Sequence, residues 1–496
     1  GMSFQPFLGF APDADYDTPG ALPDCQHMVP TPRGMRVQPG WALGPDNAGR
    51  TVPAAEPVQA IASLRGASGV YRFCRTNYRI YKSLGDGPWQ DVSPSPAQSP
   101  NGPSTFASLG NYVITAGGAS ESAGANSLLA ADMNSGVFAP MSSAPRAGIV
   151  VSANRFVLAF GDYDYADRWS CSARDDHTSW TANLSTLAAT GRIVDRSGGF
   201  TAAIEFSGDV LAFKRNSVHI GRFVGAPEVW EWTALPYNVG CISSNAVCHV
   251  PGGVLFVSDG GPHVFDGATV RPLLEGRARQ WWTRNFDAAF GRFMYAAYDE
   301  VANQAWVSHS TFNKASSQVH GILAIDLPSG RLGLARYGCD AFASCHDHSK
   351  GGVQRIYGAL RPGPSLGNRI YSRFDLSGEI GASWFDSADF TYARDPAEQT
   401  PYFVMPELGD GMSEVELTEL RLKWREAPDD ATAVHYTRPY AGGPLSVVGE
   451  SQLSDTKSFQ TRANARWHRV KVRLRDNAEM TGYQFEPTPT GRKGAR

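Results

Sequence analysis

The chain has 496 residues, with 52 glycines and 33 prolines against only 19% charged residues. Aromatic residues reach 11%, and a formal net charge of -3 excludes the basic character expected of a tight nucleic-acid or membrane binder. This composition is typical of many turns joining aromatic-rich strands, so it predicts an all-β chain. The length is sufficient for two or three domains.

Seven cysteines, an odd number without a compact framework, predict free thiols in a reducing compartment and no structural disulfides. The N-terminus lacks a basic region followed by an apolar one, so we expect no signal peptide. No apolar stretch approaches the roughly 20 residues that a membrane span needs.

Residues 1–60 are rich in proline and glycine and show almost no periodicity, which excludes a long helix or a central strand. Two interpretations remain, a disordered tail and an extended arm laid over another surface. Phe4, Phe7, Phe10 and Trp41 favour the arm, because disordered tails usually lack such apolar anchors.

Residues 61–370 repeat one theme at a spacing of roughly 40 to 50 residues. Each unit holds about four short runs of β-branched and aromatic residues separated by turn residues, as in the hairpin whose strands flank Thr76-Asn77. Similar units run from 149 to 180, 202 to 232, 245 to 270 and 294 to 337. This period is typical of β-propeller blades, and a sandwich of the same strands is the alternative.

Residues 371–496 change in character after a turn or linker near 358–368. Apolar residues there alternate with charged ones, as in half-buried strands, and most clearly in Trp467 to Arg475. This region predicts a second β domain or a platform built on the propeller. The basic residues of the same strand are interpreted as a solvated sheet face rather than as a phosphate-binding surface.

A possible metal cluster comprises Cys339, Cys345, His346, Asp347 and His348. The spacing is too wide for a zinc knuckle, and neighbouring residues on a strand point to opposite faces. We therefore interpret the segment as a polar loop and expect no metal site.

The segment from Trp169 to Trp180 partly matches the Asp-box turn of sialidase-like propellers through Ser172, Asp175 and Trp180. That turn is structural even in enzymes, so it supports a propeller without implying catalysis. Glycosidases also need paired carboxylates, and the nearby acids Asp162, Asp164 and Asp167 are more simply solvated loop residues. No nucleophile elbow, P-loop, dinucleotide fingerprint or metalloprotease motif is present. We expect no catalytic, cofactor-binding or metal-binding residue, no cofactor and no enzyme activity.

Several segments, in order along one chain, resemble the tail nozzle (tail tubular protein B type) family of short-tailed bacteriophages. They are 16–20, 29–34, 89–93, 106–111, 168–170, 178–180, 211–218, 240–242, 254–261, 265–267 and 491–492.

The resemblance implies a β-propeller with a platform domain to which the N-terminal arm and the C-terminal region both contribute. It also implies a homohexameric ring that retains genomic DNA and then passes it during ejection. The implied partners are other copies of the chain, a phage adaptor or portal, tail fibres or spikes, and genomic DNA in transient contact. The implied location is the virion tail, after assembly in the host bacterial cytoplasm. The alternative function is a propeller-fold carbohydrate-active protein, either a sialidase-like hydrolase or a lectin.

Overall fold

The structure, a computed structural model, describes residues 3–43, 51–52, 58–85, 87–100, 103–118, 127–286, 291, 293–311, 320–337, 339–347, 351–360, 368–374, 400–409 and 411–493. Within these residues the regular secondary structure is β-strand apart from one short α-helix, so the all-β prediction is confirmed.

The N-terminal arm contributes short strands to several sheets. They are β1 (Gln5–Pro6), β2 (Gly9–Phe10), β3 (Ala21–Leu22), β4 (Asp24–Gln26), β5 (Met28–Pro30), β6 (Met35–Val37), β7 (Trp41–Leu43) and β8 (Thr51–Val52).

The repeated units form blades in which consecutive strands pair with their neighbours in chain order. Blade 1 comprises β9 (Val58–Gly66), β10 (Gly69–Thr76), β11 (Ile80–Leu84) and β12 (Gln90–Asp91). Blade 2 comprises β13 (Thr105–Leu109), β14 (Tyr112–Ala116), β15 (Leu129–Asp132) and β16 (Ala139–Pro140). Blade 3 comprises β17 (Ala147–Ala153), β18 (Phe156–Asp162), β19 (Arg168–Cys171) and β20 (Ala189–Arg192). Blades 4 and 5 are β21 (Phe200–Phe206), β22 (Asp209–Lys214), β23 (Ser217–Gly225), β24 (Val229–Ala234); and β25 (Val247–Val250), β26 (Gly253–Ser258), β27 (Gly261–Phe265), β28 (Val270–Pro272). Helix α1 (Arg279–Asn285) follows, and then blade 6 with β29 (Ala296–Asp299), β30 (Gln304–Thr311), β31 (His320–Asp326), β32 (Arg331–Tyr337), and blade 7 with β33 (Cys339–Asp347), β34 (Val353–Leu360), β35 (Asn368–Phe374).

The innermost strands close into a ring. Each blade's first strand contacts the first strand of the next blade, and β33 of blade 7 contacts β9 of blade 1. Two strands of the arm complete blade 7, because β35 pairs with β7 through Arg373↔Ala42 and with β8 through Asn368↔Val52. This order confirms the propeller and rejects the sandwich for these strands.

The turn between β21 and β22 shows how the local sequence determines a hairpin connection. The β21–β22 connection is the pair Ser207-Gly208, whose φ angles of 52° and 85° are both positive. Two positive φ angles at the centre of a two-residue loop are the type I′ geometry, which matches the twist of paired strands.

The C-terminal strands are β36 (Tyr402–Val404), β37 (Ser413–Glu426), β38 (Ala431–Arg438), β39 (Ser446–Gln452), β40 (Ser458–Ala465), β41 (Trp467–Leu474) and β42 (Glu479–Lys493). They build two sheets, ordered β40-β37-β42-β6-β5 and β39-β38-β41-β36-β4, with β1 added on β42. Strands from both ends of the chain thus share each sheet, which confirms the predicted platform.

The described part of the arm is ordered against blade 6. The Arg331 guanidinium donates to the carbonyl oxygens of Phe7 (3.1 Å) and Thr31 (2.6 Å), and Gln304 Nε2 donates to the Pro30 carbonyl (2.8 Å). One buried apolar cluster runs from the platform through the arm into blades 4 to 6, including Phe403, Met28 and Leu332. The two parts of the molecule therefore share a core.

Candidate functional site

An axial cavity of about 580 Å³ lies where the innermost strands of the propeller converge. It is lined from six of the seven blades by apolar and uncharged polar side chains together with one carboxylate. These residues are Ile61, Ala62, Ser63, Leu64, Phe106, Ile204, Glu205, Asn245, Val247, Cys248, His249, Tyr295, Ala296, Phe342, Ala343, Ser344 and Gln354.

One end of the propeller axis is bridged by hydrogen bonds between blades 2 and 5. Ser244 Oγ donates to the Pro103 carbonyl (3.0 Å), and Asn245 Nδ2 donates to the Ser104 carbonyl (3.3 Å). Ser244 and Asn245 lie just before β25 of blade 5, and Pro103 and Ser104 lie just before β13 of blade 2. Blades 2 and 5 are not neighbours, because two blades lie between them on one side of the ring and three on the other. Direct bonds between them therefore cross the axis and give the cavity a floor.

Side-chain hydroxyls tie neighbouring innermost strands together. Ser63 Oγ accepts a bond from the His346 backbone N–H (3.1 Å), Ser344 Oγ accepts one from the Tyr298 N–H (2.8 Å), and Thr105 Oγ1 accepts one from the Val150 N–H (3.0 Å). Amides on the inner edge of each blade have no further strand to pair with, so these hydroxyls satisfy them. The cavity wall is thereby held in one arrangement.

Glu205 and His249 face each other on β21 and β25. The His249 Nε2–H donates to the Glu205 backbone carbonyl (2.5 Å), and the same nitrogen lies 3.8 Å from Glu205 Oε2. Glu205 Oε1 accepts a bond from the Gly208 N–H (2.7 Å) in the hairpin turn that follows β21. Both side chains remain partly open to solvent, 38% for Glu205 and 58% for His249.

Ser63, His346 and Gln354 form a chain of contacts beside the cavity. Ser63 Oγ lies 2.5 Å from His346 Nδ1, and Gln354 Nε2 lies 3.2 Å from His346 Nε2. In a catalytic triad, a serine nucleophile is hydrogen-bonded to a histidine base, and a carboxylate orients the histidine. Here the group on the second ring nitrogen is the amide of Gln354, so the described contacts lack the carboxylate of a catalytic triad.

The thiol in the cavity wall is also unreactive. Burial, with a smaller effect of neighbouring Cys241, raises the pKa of Cys248 to about 12. A cysteine with that pKa is protonated at neutral pH and is a poor nucleophile. All seven cysteines are buried free thiols.

The predicted polar loop is wrong, because residues 339–347 form the largely buried strand β33, and the side chains of the possible metal cluster have separate contacts. Cys339 and Cys345 lie in the buried core of blade 7, His346 contacts Ser63, and Asp347 lies 3.5 Å from the buried Arg355 guanidinium. His348 lies outside the described residues. The described residues contain no group of three or more histidine, cysteine or acidic side chains arranged to hold a metal ion.

The partial Asp-box turn and its neighbouring acids are structural. The buried Ser172 Oγ accepts a bond from the Val157 N–H (3.1 Å), Asp175 pairs with Arg155, and the Trp180 indole N–H donates to the His177 carbonyl (2.7 Å). The expectation of solvated acids holds for Asp164 alone, which is 70% exposed and 3.9 Å from Arg168. Asp162 and Asp167 are mostly buried and pair with Arg168 (3.0 Å) and Arg192 (2.7 Å).

Two further clefts lie elsewhere. One, of about 370 Å³ beside helix α1, is bordered by the ion pairs Arg215–Asp259 and Arg279–Glu275. The other, of about 560 Å³ in the platform, includes Glu407, which is paired with arginines. Charges already matched within the protein leave less for a ligand, so the axial cavity is the better candidate.

Sequence reasoning did not find this cavity. Ser63, Glu205, His249 and Ser344 are separated by up to about 280 positions, and only ring closure brings their blades around one axis. One signal could have found them, because each is a polar residue late in the first strand of its blade.

Neither a family model nor a curated protein sequence matches the chain. Among solved structures, the exo-β-1,3-galactanase of Phanerochaete chrysosporium is similar, with 9% identity, a TM-score of 0.30, and coverage of 90% of this chain and 99% of that one. Puromycin hydrolase (12% identity, TM-score 0.33, 72% and 62% coverage) and PorZ of Porphyromonas gingivalis, a surface component of the type-IX secretion system (10%, 0.36, 82% and 52%), are also similar.

None of these comparisons supports the expected tail-nozzle function, which we correct here. At such low identity and TM-score the likeness concerns the fold alone. The homohexameric ring, the adaptor, fibre and DNA partners and the virion location followed from that function, and they stay untested predictions. In the described residues, no helix is long and apolar enough to cross a membrane.

Proposed function

We propose that the chain is a lectin-like binding protein whose axial cavity takes a hydroxyl-rich ligand of sugar size, and that it is not an enzyme. The observation that carries this proposal is the lining of the axial cavity. Hydroxyl, amide and imidazole groups stand there beside the aromatic rings of Phe106 and Phe342.

Size and closure support the proposal. Small-molecule sites usually occupy about 300–1,000 Å³ and combine apolar walls with a few fixed polar groups. The axial cavity, at about 580 Å³, lies within that range, and the bonds of Ser244 and Asn245 close its floor. A ligand would enter from the opposite end.

The acid content of the lining favours binding over hydrolysis. Most glycosidases need two carboxylates about 5–10 Å apart, one as an acid and the other as a nucleophile or base. Among the described residues that line the cavity, Glu205 is the sole carboxylate. Sugar binding needs hydrogen bonds and an apolar surface, and the cavity offers both.

The proposal is tested by a glycan array followed by isothermal titration calorimetry. An A343W variant, which puts an indole into the cavity, is expected to lower the affinity of the best glycan at least tenfold. The exposed turn variant A268W is the matched control and should bind like the original chain.

Thermal unfolding of both variants separates a filled cavity from a damaged fold, and a second cavity variant, A62W, repeats the test from another strand. If no glycan on the array binds to the protein, or if the cavity variants bind as well as the control variant, the proposal is overturned. Turnover of chromogenic glycosides would replace the lectin with the hydrolase alternative.

A further inference from the structure

Glu205 is a fixed carboxylate with unused bonding capacity. Its Oε1 is anchored by the Gly208 N–H at 2.7 Å, in a turn whose geometry is set by two positive φ angles. Its Oε2 lies 3.8 Å from His249 Nε2, beyond hydrogen-bond distance, and that nitrogen already donates to the Glu205 carbonyl. One carboxylate oxygen is therefore held at the cavity without a hydrogen bond from the described residues.

The rest of the lining has no cation to match this charge. Neither lysine nor arginine is among the described residues that line the cavity. One guanidinium beside the wall, that of Arg72, is buried, donates to the His346 carbonyl (2.6 Å) and lies over the Tyr357 ring at 4.5 Å from its centroid. An acidic ligand would meet a carboxylate here, whereas a cationic one would find a partner.

We propose that the preferred ligand of the axial cavity is an amino sugar with a free ammonium group, seated against Glu205. This inference rests on the proposed function and names its ligand class. The ammonium donates a charge-assisted hydrogen bond to Glu205 Oε2, and such bonds are shorter and stronger than neutral ones. Ring hydroxyls bond to the Ser, Asn and Gln groups of the lining, and the apolar ring face packs on Phe106.

Glu205 is accordingly a specificity residue. N-acetylation removes the ammonium charge and adds bulk, so an acetylated sugar loses this bond. A uronic acid brings a second carboxylate to the same place and is repelled. A neutral hexose keeps the hydroxyl contacts and binds with intermediate affinity.

The test compares three ligands by isothermal titration calorimetry: a glucosamine disaccharide, its N-acetylated form and a glucuronate-containing disaccharide. The original chain should bind the glucosamine form about tenfold more tightly than the acetylated form, and the glucuronate form most weakly. In E205Q the preference should vanish while weak binding persists, because glutamine keeps an oxygen for the Gly208 N–H. The exposed platform variant E450Q is the matched control and should keep the preference.

Equal or tighter binding of the acetylated or glucuronate form would overturn the amino-sugar assignment and leave the proposed function standing. A preference that survives in E205Q would overturn the role of Glu205. Failure of every sugar to bind would overturn the proposed function itself. A lysine peptide that binds as well as the amino sugar would show that charge alone is recognised, which also contradicts the assignment.

Discussion

The axial cavity and the interior of the platform use the same residue types in opposite ways. In the platform, the buried Glu407 carboxylate accepts a hydrogen bond from Arg438 Nη2 (2.5 Å), and its other oxygen lies 2.8 Å from Arg469 Nη2 in an ion pair. In the cavity, Glu205 lies 3.8 Å from His249 and both are partly exposed. A carboxylate whose partners are internal stabilises its surroundings, whereas one that is anchored but unmatched is available to a ligand.

Histidines show the same difference. In the platform, His435 Nε2 lies 3.0 Å from His468 Nδ1, and His468 Nε2–H donates to the Val415 carbonyl (2.8 Å), so the pair links the two sheets. In the cavity, His249 also links two sheets through the Glu205 carbonyl, but its side chain is 58% exposed. The difference between the two regions is therefore exposure, which leaves the cavity histidine open to a ligand.

The largest expected effect comes from breaking the platform ion network. E407L leaves two guanidinium groups without their carboxylate, and removing one partner of a buried ion pair costs about 3–5 kcal/mol. We expect about 3 kcal/mol, because Arg469 is a quarter exposed and reaches water. Urea unfolding followed by tryptophan fluorescence measures the loss. E205Q in the cavity should change the free energy of unfolding by less than about 0.5 kcal/mol. Similar losses in E407L and E205Q would contradict the difference drawn between the platform and the cavity.

Acid should weaken the platform through its histidine pair. Burial, with repulsion from His468, lowers the pKa of His435 from 6.5 to about 4, and burial also lowers the pKa of His468. The unfolded chain then binds protons more readily than the folded one, so stability is complete above pH 6.5 and falls as the pH drops towards 4. The slope approaches about 1.4 kcal/mol per pH unit for each histidine.

The double variant H435Q/H468Q tests this pH dependence, because glutamine does not titrate. Its unfolding free energy, measured between pH 7 and pH 4, should fall less steeply than that of the original chain. Glu407, Arg438 and Arg469 lie on or beside the same strands and stay unchanged in the variant. An unchanged slope would show that other groups cause the acid loss.

A smaller, local loss of stability is expected at the floor of the axial cavity. S244A removes the bond to the Pro103 carbonyl, and a lost hydrogen bond of this kind costs about 1 kcal/mol. Hydrogen exchange should become faster at the amides of residues 104 to 107, while the platform amides keep their rates. Faster exchange throughout the chain would contradict a local floor.

Much of the fold was predictable from the sequence, because hairpins are local. The β10–β11 hairpin and the recurring runs of each blade follow from residues close together in the chain, and so does the alternation in β41. The turn of that hairpin is Asn77-Tyr78, one residue later than the predicted Thr76-Asn77, because Thr76 still bonds to Arg79 across the strands. The predicted solvated face of β41 was only partly correct. This strand is central in its sheet, Arg469 pairs with Glu407, and Lys471 lies 4.0 Å from the Tyr402 ring centroid.

The remainder depends on contacts between distant residues. The pairing of β7 with β35 joins positions more than 300 residues apart, and no local pattern specifies such a partner. The meeting of Glu205 with His249 depends on how consecutive blades stack around the axis. Local sequence motifs therefore did not predict the cavity, although they predicted most of the blades that line it.

The most direct test is a crystal structure of the chain with its best glycan bound. The ligand is expected in the axial cavity, with hydroxyls within 3.2 Å of the Ser63, Asn245 or Gln354 side chains and a ring face against Phe106. Ligand density on the platform or on the outer blade surface, with an empty axial cavity, would contradict the account.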